Sequence, residues 1–386
     1  MASDPAPDAR PRIGLAFPGD VTNPASWSGT PSGLHSGLTA AGAEPIPIDT
    51  RFRGSDRVAN ALRMSWAQAT ANGAFAAASG LTANRAARRA ALDGVVAIGS
   101  GFVLSEGVPA VSFEDMTVAQ AMRREEDPAY RSVSAGAARR WRRRQQLIYE
   151  RSRACCVTSG WVAESIHRDY GVPPSRIRVV GLGHNVEVAA NPERDWNVPR
   201  FIFAGVDWDR KRGSAVVEAF IALRQRHPGA SLDLVGEHPR IEVEGVTGHG
   251  RLRLDSRPEQ RHYAELLRRA TCFVMPSSYE PFGIAHVDAA AAGVPSIGTT
   301  VGGVPDTVGP GGVVVDPGDD DALLEAMFDL ADPQTARRLG ALAQQHASLF
   351  TWRAVGERIL HALAPPGVDL TKLSGFLPFE GERLAA

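Results

Sequence analysis

Two charged residues in the second half of this 386-residue chain could do chemistry on an anionic substrate. Glu280 lies in a loop with Pro281 and Gly283, after an apolar run that ends at Met275, and Lys211 also follows an apolar run. Ligands of parallel α/β sheets bind at the carboxyl ends of strands, where helix N-termini offer N–H groups to anions. We therefore expect an anion-binding site around Glu280 and Lys211.

The stretch 276–306 has the element order that such a site needs. A strand is predicted at 272–275, a small-residue helix at 283–292, a second strand at 294–298 and a glycine loop at 301–306. The loop between the first strand and the helix carries the candidate carboxylate, so the elements on both sides of it would fix its position.

The composition indicates a soluble protein with two domains, each of roughly under 200 residues. Apolar residues make up 44% and charged residues 22%, and the net charge of −1 argues against a general nucleic-acid-binding surface. Only Lys211 and Lys372 are lysines among 42 basic residues, which draws attention to Lys211.

The cysteines and the chain start suggest a cytoplasmic location. Cys155, Cys156 and Cys272 show neither a paired framework nor metal-ligand spacing, so we expect buried free thiols in a reducing compartment. Residues 1–11 are polar and Pro-rich, which predicts a disordered start without a signal peptide. No apolar run approaches the length of a membrane span, about 18 residues.

Strands alternate with helices in both halves, which predicts an α/β protein with two Rossmann-like, doubly wound parallel sheets. Strands are predicted at 12–17, 44–48, 94–98, 110–113, 154–158, 178–180, 201–204, 231–235, 272–275, 294–298 and 313–315. Helices are predicted at 32–41, 55–92 (broken near Gly73 and Gly80), 117–126, 134–153, 161–170, 213–226, 257–269, 283–292, 319–331, 333–347 and 351–363.

The polar stretch 187–199 is the predicted linker between an N-terminal domain, 12–186, and a C-terminal domain, 200–350. We expect the remaining residues, 351–386, to form a helix and tail that pack back on the N-terminal domain.

The motifs of this chain, in their order, resemble those of family-4 retaining glycosyltransferases. The motifs are Trp27-Ser-Gly-Thr30, Trp161-Val-Ala-Glu-Ser165, Asp169-Tyr-Gly-Val172, Val179-Val-Gly-Leu-Gly-His-Asn185, Val206-Asp-Trp-Asp-Arg-Lys211, Glu280-Pro-Phe-Gly283 with Asp288 eight positions after Glu280, Ala-Gly-Val-Pro and Gly-Gly-Val-Pro-Asp. The resemblance spans nearly the whole chain, and the first motif is similar to a sub-branch of the family. It implies the GT-B fold, in which two Rossmann-like domains face each other across a cleft.

The resemblance assigns the donor, a nucleoside-diphosphate sugar, to the C-terminal domain. Lys211 would neutralise the diphosphate, with Arg210 as a second cation where the family usually has an arginine nearer the strand, at Val206 or Asp207. A solvated basic turn is the structural alternative. The N–H groups of Phe282, Gly283 and Ile284 would add phosphate contacts.

Two carboxylates complete the implied donor site. Glu280 would bind the sugar hydroxyls and offset charge in an oxocarbenium-like transition state; alternatively, it only caps the following helix. Asp288 takes the place of the family's glutamate and would bind the ribose hydroxyls. Because aspartate is one methylene shorter, either the nucleotide lies closer or a water bridges the gap.

The resemblance also implies contacts from the N-terminal half. Gly29 and Thr30 begin a helix whose N–H groups could reach the donor phosphate, or simply cap that helix. Asp115 takes the place of a histidine that contacts the transferred sugar in many members, so we predict a polar contact to sugar or acceptor. Asp20 and Ser28 are the other candidate acceptor-binding residues.

Other patterns receive structural interpretations. Gly99-Ser-Gly101 lacks the third glycine of a dinucleotide fingerprint. The basic run 139–144 is interpreted as a solvated helix face with Trp141 on its apolar side, a membrane or nucleic-acid surface being the alternative. His184 and His286 are taken as structural. We expect no metal ion and no cofactor, since the donor is a substrate.

The sequence thus predicts a cytoplasmic retaining glycosyltransferase that acts on a small-molecule acceptor, in secondary-metabolite (antibiotic) or thiol biosynthesis. A lipid-linked or polysaccharide acceptor at a membrane surface is the main alternative. A nucleotide-sugar epimerase, a pyridoxal-phosphate-dependent phosphorylase and a catalytically silent nucleotide-binding protein are also considered. The nucleotide base, the acceptor and the oligomeric state stay open.

Overall fold

The computed structural model describes residues 10–124, 127–187, 194–365 and 374–378. Their contacts divide the chain into two compact units, which we call unit 1 and unit 2. Unit 1 extends to Gly181 and resumes at Trp352, and unit 2 comprises 182–351. Part of the predicted linker, 188–193, lies outside the described residues, as do most of the predicted disordered start and most of the tail.

Unit 1 contains a parallel sheet that has six strands in the described part of the chain, in the order β2-β1-β3-β4-β5-β6. The strands are β1 (Arg12–Phe17), β2 (Glu44–Asp49), β3 (Gly94–Ile98), β4 (Ala110–Glu114), β5 (Ala154–Val157) and β6 (Ile177–Val179). The helices are α1 (Thr30–Ala40), α2 (Ser55–Ala61), α3 (Trp66–Ala71), α4 (Gly73–Arg89), α5 (Val118–Met122), α6 (Pro128–Arg131), α7 (Ala135–Arg151) and α8 (Gly160–Tyr170).

Unit 2 repeats the architecture, with six parallel strands among its described residues in the order β12-β11-β10-β7-β8-β9. The strands are β7 (Arg200–Gly205), β8 (Ser231–Gly236), β9 (Val246–Gly250), β10 (Cys272–Val274), β11 (Ser296–Thr299) and β12 (Gly312–Val315). The helices are α9 (Gly213–Arg224), α10 (Arg257–Arg269), α11 (Ile284–Ala291), α12 (Val304–Val308), α13 (Asp320–Asp329) and α14 (Pro333–Ala347).

The last helix, α15 (Trp352–Leu363), belongs to unit 1 and packs against α1. Small residues permit this close approach. A Cβ on Gly33 would lie 2.1 Å from the Trp352 ring, and one on Gly356 would lie 2.3 Å from the Gly37 carbonyl oxygen. Without side chains at these glycines, the backbone of α1 can contact both the Trp352 ring and the backbone of α15.

The predicted α/β class with two parallel, doubly wound sheets is confirmed, but several local features differ from the predictions. The predicted helix 55–92 is also interrupted at 62–65, and α6 was not predicted. The helix break near Gly80 is absent, since α4 runs through it; a Cβ there would lie 3.3 Å from the Val103 carbonyl oxygen, so the glycine serves close packing. The edge strand β9 was missed because, after Val246, its residues are polar or glycine, and all five are half-exposed or exposed. The helix α12 was missed because the Gly-Gly-Val-Pro sequence suggested only a loop.

The core of unit 2 fixes the strands that carry the candidate site. Phe201 and Phe203 of β7, Phe220 of α9 and Phe273 of β10 are completely buried. Full burial of one such side chain stabilises a fold by about 1.5–3 kcal/mol. β10 pairs in parallel with β7, so both strands end towards the same edge of the sheet.

Candidate functional site

Three charged side chains of unit 2 meet beyond the carboxyl end of β7. Lys211 Nζ and Arg210 Nη1 both contact the same oxygen of Glu280, Oε2, the latter at 3.1 Å. Lys211 is only 8% exposed, and the Glu280 side chain is 13% exposed. The two predicted phosphate cations and the predicted sugar-binding carboxylate are thus in direct contact, although about 70 residues separate them along the chain.

The backbone after β7 makes room for Lys211. A Cβ on Gly205 would lie 2.9 Å from Lys211 Cγ, so a glycine at the strand end lets the lysine stem pass. The Lys211 N–H donates to the Asp207 carbonyl oxygen at 2.9 Å, which closes the turn. Arg212, with φ +57°, is the N-cap of α9. Lys211 therefore lies on a tight, well-defined turn.

Arg210 is attached to the Glu280 loop independently of the carboxylate. Its Nη1 donates to the Tyr279 carbonyl oxygen at 3.0 Å, and its guanidinium lies 5.2 Å from the Tyr279 ring centre. On the other side, its Nε donates to Asp207 Oδ2 at 3.1 Å. Sequence reasoning missed the positioning roles of Asp207 and Tyr279; the Asp–Arg spacing of three residues was the available signal for the former.

The glycine loop, 301–306, contacts the backbone of Glu280. Gly303 N–H donates to the Glu280 carbonyl oxygen at 3.0 Å, and Gly302 forms a parallel bridge with Glu280. Gly302 has φ +85°, and a Cβ there would lie 1.9 Å from the Glu280 carbonyl oxygen. A glycine is therefore required by both conformation and space.

The helix α11 begins immediately after this loop. Gly283, with φ +86°, is its N-cap, so no side chain caps the first turn from that position. The N–H groups of a first helical turn are unpaired within the helix and attract anions. Phe282 and Gly283 are buried and Ile284 is half-buried. Two cations and a helix N-terminus therefore lie beside one carboxylate, an arrangement that can bind a diphosphate.

The electrostatics of this loop are dominated by the two cations. Burial alone would raise the pKa of Glu280, but Lys211 and Arg210 outweigh it and hold that pKa below its usual value. Burial lowers the pKa of His286, on α11, to about 3, helped by the nearby Lys211 charge. The site therefore contains an ionised carboxylate and a neutral imidazole at pH 7.

Asp288 lies one turn further along α11 and faces different partners. It is 4% exposed, and its Oδ1 accepts a hydrogen bond from the Asn185 N–H at 2.6 Å. Burial raises the pKa of Asp288 to about 7, against hydrogen bonds from the N–H groups of Asn185 and Val186 that lower it. Asp288 thus anchors the start of unit 2, and its predicted contact with a ribose stays a prediction.

The candidate residues of unit 1 form a second group. Trp27 Nε1 donates to Asp115 Oδ2 at 3.1 Å, which joins the Trp-Ser-Gly-Thr loop to the end of β4. Ser28 is exposed with φ +52°, while Gly29, the N-cap of α1 with φ +83°, and Thr30 are buried.

Asp20 lies in the turn that follows β1. It is exposed and accepts hydrogen bonds from the Thr22 N–H at 2.8 Å and the Thr22 hydroxyl at 2.7 Å, which lower its pKa. The roles assigned to the unit 1 candidates stay predictions.

Glu114, the neighbour of Asp115, is buried inside unit 1. Its Oε2 accepts hydrogen bonds from the Tyr149 hydroxyl, at 2.7 Å, and from the Gln145 amide. Burial raises the pKa of Glu114 to about 8, so the carboxyl is mostly protonated at pH 7. It stabilises the packing of α7 on β4.

The basic run on α7 has two faces. Trp141 is buried and donates to the Ser100 hydroxyl at 2.9 Å, and Arg144 is also buried and donates to the Ser100 carbonyl oxygen at 2.9 Å. Arg139, Arg140 and Arg143 are exposed. The expectation of a solvated face with Trp141 inside describes this helix, except that Arg144 points inward. The Gly99-Ser-Gly101 loop serves as a docking point for α7.

The three cysteines are free and buried, as expected. Within the described residues, no group of three or more histidine, cysteine or acidic side chains could hold a metal ion. No helix in the described part of the chain is long and apolar enough to cross a membrane.

Comparison with known proteins identifies the relatives of this chain. Residues 198–332 match the family model for glycosyl transferases group 1. The chain is 34% identical over 148 residues to glycogen synthase of Mycobacterium tuberculosis, covering 36% of each chain. It is 28% identical over 242 residues to D-inositol 3-phosphate glycosyltransferase of Corynebacterium glutamicum, covering 56% of this chain and 58% of the relative. The matches thus span between about a third and three fifths of these relatives.

Solved structures resemble the chain over almost its entire length. Sucrose-phosphate synthase from Thermosynechococcus elongatus aligns with a TM-score of 0.60 at 19% identity, covering 91% of this chain and 98% of that one. WaaG, a glycosyltransferase involved in lipopolysaccharide biosynthesis, aligns with a TM-score of 0.61 at 15% identity, covering 92% of this chain and 100% of that one. At such identities the likeness establishes a shared fold, which is GT-B, as expected.

Proposed function

We propose that this protein transfers a sugar from a nucleoside-diphosphate sugar to an acceptor with retention of the anomeric configuration. The support is the match of residues 198–332 to the family of glycosyl transferases group 1, together with the GT-B fold. The observation that carries this proposal is the convergence of Lys211 and Arg210 on Glu280 beside the N-terminus of α11. Such a cluster has the charge and the donors that a departing diphosphate requires.

In this proposal each residue of the unit 2 cluster has a defined role. Lys211, Arg210 and the N–H groups at the start of α11 stabilise the negative charge that grows on the diphosphate as it leaves. Glu280 accepts hydrogen bonds from the sugar hydroxyls and its charge stabilises the cationic sugar. Asp288 can accept a ribose hydroxyl in addition to the Asn185 N–H, because a carboxylate has about four lone-pair positions.

We favour front-face displacement as the chemical step. The bond from the anomeric carbon to the phosphate oxygen breaks, the acceptor oxygen bonds to the same face, and the leaving phosphate takes the acceptor's proton. The positive charge of Lys211 and Arg210 makes the diphosphate a better leaving group. This step needs no metal ion.

For the acceptor, we propose a small polar molecule. The support is the relative acting on D-inositol 3-phosphate, whose match is among the longer ones. Gly29, Thr30, Asp20, Ser28 and Asp115 of unit 1 are the candidate contacts. The names of the relatives above do not support the expected link to antibiotic biosynthesis, and the proposal does not include it.

A lipid-linked acceptor is the second candidate. The relevant observation is the exposed arginine face of α7, formed by Arg139, Arg140 and Arg143, and one relative is a phosphatidylinositol monomannoside mannosyltransferase of Mycolicibacterium smegmatis. Binding to anionic vesicles that is lost at high salt and on replacing the three arginines by glutamate would favour this acceptor. Absence of vesicle binding would favour the small molecule.

The proposal is tested by titrating the protein with UDP, GDP, ADP and TDP. One of them should raise the melting temperature, corresponding to about 2.7 kcal/mol at a hundredfold excess over its dissociation constant. Lys211→Met should abolish that shift. Arg240→Met is the matched control, since Arg240 is 88% exposed in unit 2 and pairs only with exposed Glu242 among the described residues. If no nucleoside diphosphate shifts the wild-type protein, the donor-site assignment is wrong.

A further inference from the structure

The Glu280 carboxylate occupies, in this structure, the position of an anion between the two cations of the site. Lys211 and Arg210 both contact Oε2 of Glu280. Arg210 has further contacts, to Asp207 and to the Tyr279 carbonyl oxygen. For Lys211, buried and 8% exposed, Glu280 is the ion-pair partner found among the described residues.

A diphosphate cannot gain the full interaction with Lys211 while this ion pair persists. The phosphate must replace the carboxylate on Nζ, and the carboxylate must then find new donors or remain charged beside a second anion. Two like charges in a poorly solvated site repel strongly. The free-energy cost of displacing Glu280 from Lys211 differs between ligands, because a sugar supplies hydroxyl donors to Glu280 and a free diphosphate does not.

We infer that Glu280 is an internal competitor of the donor's phosphate, and that it makes the site discriminate a sugar-bearing donor from the free nucleoside diphosphate. This inference rests on the proposed function. With the sugar present, Glu280 exchanges Lys211 for sugar hydroxyls and stays satisfied. Without the sugar, Glu280 returns to Lys211 and opposes the diphosphate. The ion pair thereby weakens binding of the product and favours its release after transfer.

Backbone hydrogen bonds hold the Glu280 loop close to the Lys211 turn. Gly303 N–H holds the Glu280 carbonyl oxygen at 3.0 Å, and the absence of a side chain at Gly302 permits this contact. Ser278 N–H donates to the Arg210 carbonyl oxygen at 2.8 Å, which links the loop to the Lys211 turn. The backbone of Glu280 can therefore stay fixed while its carboxylate moves from Lys211 to the sugar.

The test is Glu280→Gln, which keeps the size of the side chain and removes its charge. We expect the nucleoside diphosphate to bind this variant tighter than wild type, on the order of tenfold, as suits the loss of one charge interaction at short range. Turnover of the sugar donor should fall at the same time, since the sugar loses an ionic acceptor. The readouts are calorimetric affinity for the diphosphate and the ratio of its inhibition constant to the donor KM.

Two variants make the outcome unambiguous. Glu242→Gln removes one negative charge from the surface of unit 2, where Glu242 is 73% exposed, and should leave the affinity unchanged. Glu280→Asp retains the charge but shortens its reach to Lys211, so it should tighten diphosphate binding less than glutamine does; it also serves if Glu280→Gln does not fold.

The inference and the proposed function fail differently. If Lys211→Met weakens diphosphate binding but both Glu280 variants bind it no tighter than wild type, the competition is refuted and the donor site stands. If Lys211→Met also leaves binding unchanged, the donor site itself is refuted.

Discussion

Glu280 and Asp288 are both largely buried carboxylates of the same loop and helix, eight residues apart, and their pKa values move in opposite directions. Glu280 faces Lys211 and Arg210, which hold its pKa below the usual value. Asp288 faces the backbone N–H groups of Asn185 and Val186, and burial raises its pKa to about 7. Burial is common to both, so the difference comes from the partners.

This difference separates two kinds of buried acid. Glu280 is held in its ionised form by Lys211 and Arg210, which lower its pKa, and these cations are the groups that a diphosphate would need. Asp288 exchanges a proton near neutrality and contacts the backbone at the start of unit 2. In the proposed function the charge of Glu280 serves ligand binding, whereas Asp288 anchors the start of unit 2 with a strength that depends on pH.

The largest expected effect comes from removing the cation that distinguishes the two acids. Lys211→Met should lower the rate of sugar transfer by about 10³-fold, since a preorganised donor to the leaving group is lost. The measurement is single-turnover transfer at saturating donor, with Arg240→Met as control. A loss smaller than tenfold would mean that Lys211 does not contact the leaving group.

A stability effect of about 2–4 kcal/mol is expected from Gly302→Ala, which combines left-handed strain with overpacking. The new Cβ would lie 1.9 Å from the Glu280 carbonyl oxygen, at φ +85°. Gly318→Ala is the matched control, because Gly318 has φ +92° with nothing within 4 Å. Urea unfolding of both variants separates the cost of the left-handed backbone conformation from the cost of the steric contact with Glu280. If both variants lose the same free energy of unfolding, the Glu280 loop accommodates the new Cβ without an additional loss of stability.

Asp288→Asn should change how stability depends on pH. Between about pH 4 and 7 folded Asp288 keeps a proton that the unfolded chain, with a pKa of 3.8, has lost. Its contribution is therefore fully present below pH 3.8 and is lost as pH rises through about 7. Wild-type stability should fall, relative to the variant, by up to about 1.4 kcal/mol per pH unit in this window.

The check is a series of urea unfolding curves from pH 4.5 to 7.5. Glu114 contributes a slope of the same sign from unit 1, because burial raises its pKa to about 8, so the difference between wild type and variant is the relevant quantity. Parallel profiles for the two proteins would contradict the assigned protonation of Asp288.

The smallest expected effect is that of Asp207→Asn. Asp207 is 50% exposed and contacts Arg210, which keeps its bonds to Tyr279 and Glu280 in the variant. Partly exposed ion pairs contribute about 0–1 kcal/mol, so donor affinity should fall by no more than about fivefold. Calorimetric titration with the donor measures this, and a loss comparable to that of Lys211→Met would give Asp207 a direct role.

The sequence predicted the architecture because alternating apolar runs and helical segments repeat in both halves. It did not reveal β9, whose half-exposed residues include two glycines and a histidine, since a polar edge strand lacks the apolar signal. It placed Lys211 and Glu280 in one predicted anion-binding site, but it did not predict their direct contact. Their ion pair joins residues 69 apart, and the Asp288–Asn185 bond joins residues 103 apart, so only the fold could show these contacts.

The most direct test of the donor site is the structure of a complex with the nucleoside diphosphate that binds. We predict a β-phosphate oxygen within hydrogen-bonding distance of Lys211 Nζ, about 2.7–2.9 Å, beside the N-terminus of α11 and with the Glu280 carboxylate displaced from Lys211. A diphosphate bound elsewhere, with the Lys211–Glu280 ion pair intact, would contradict this account.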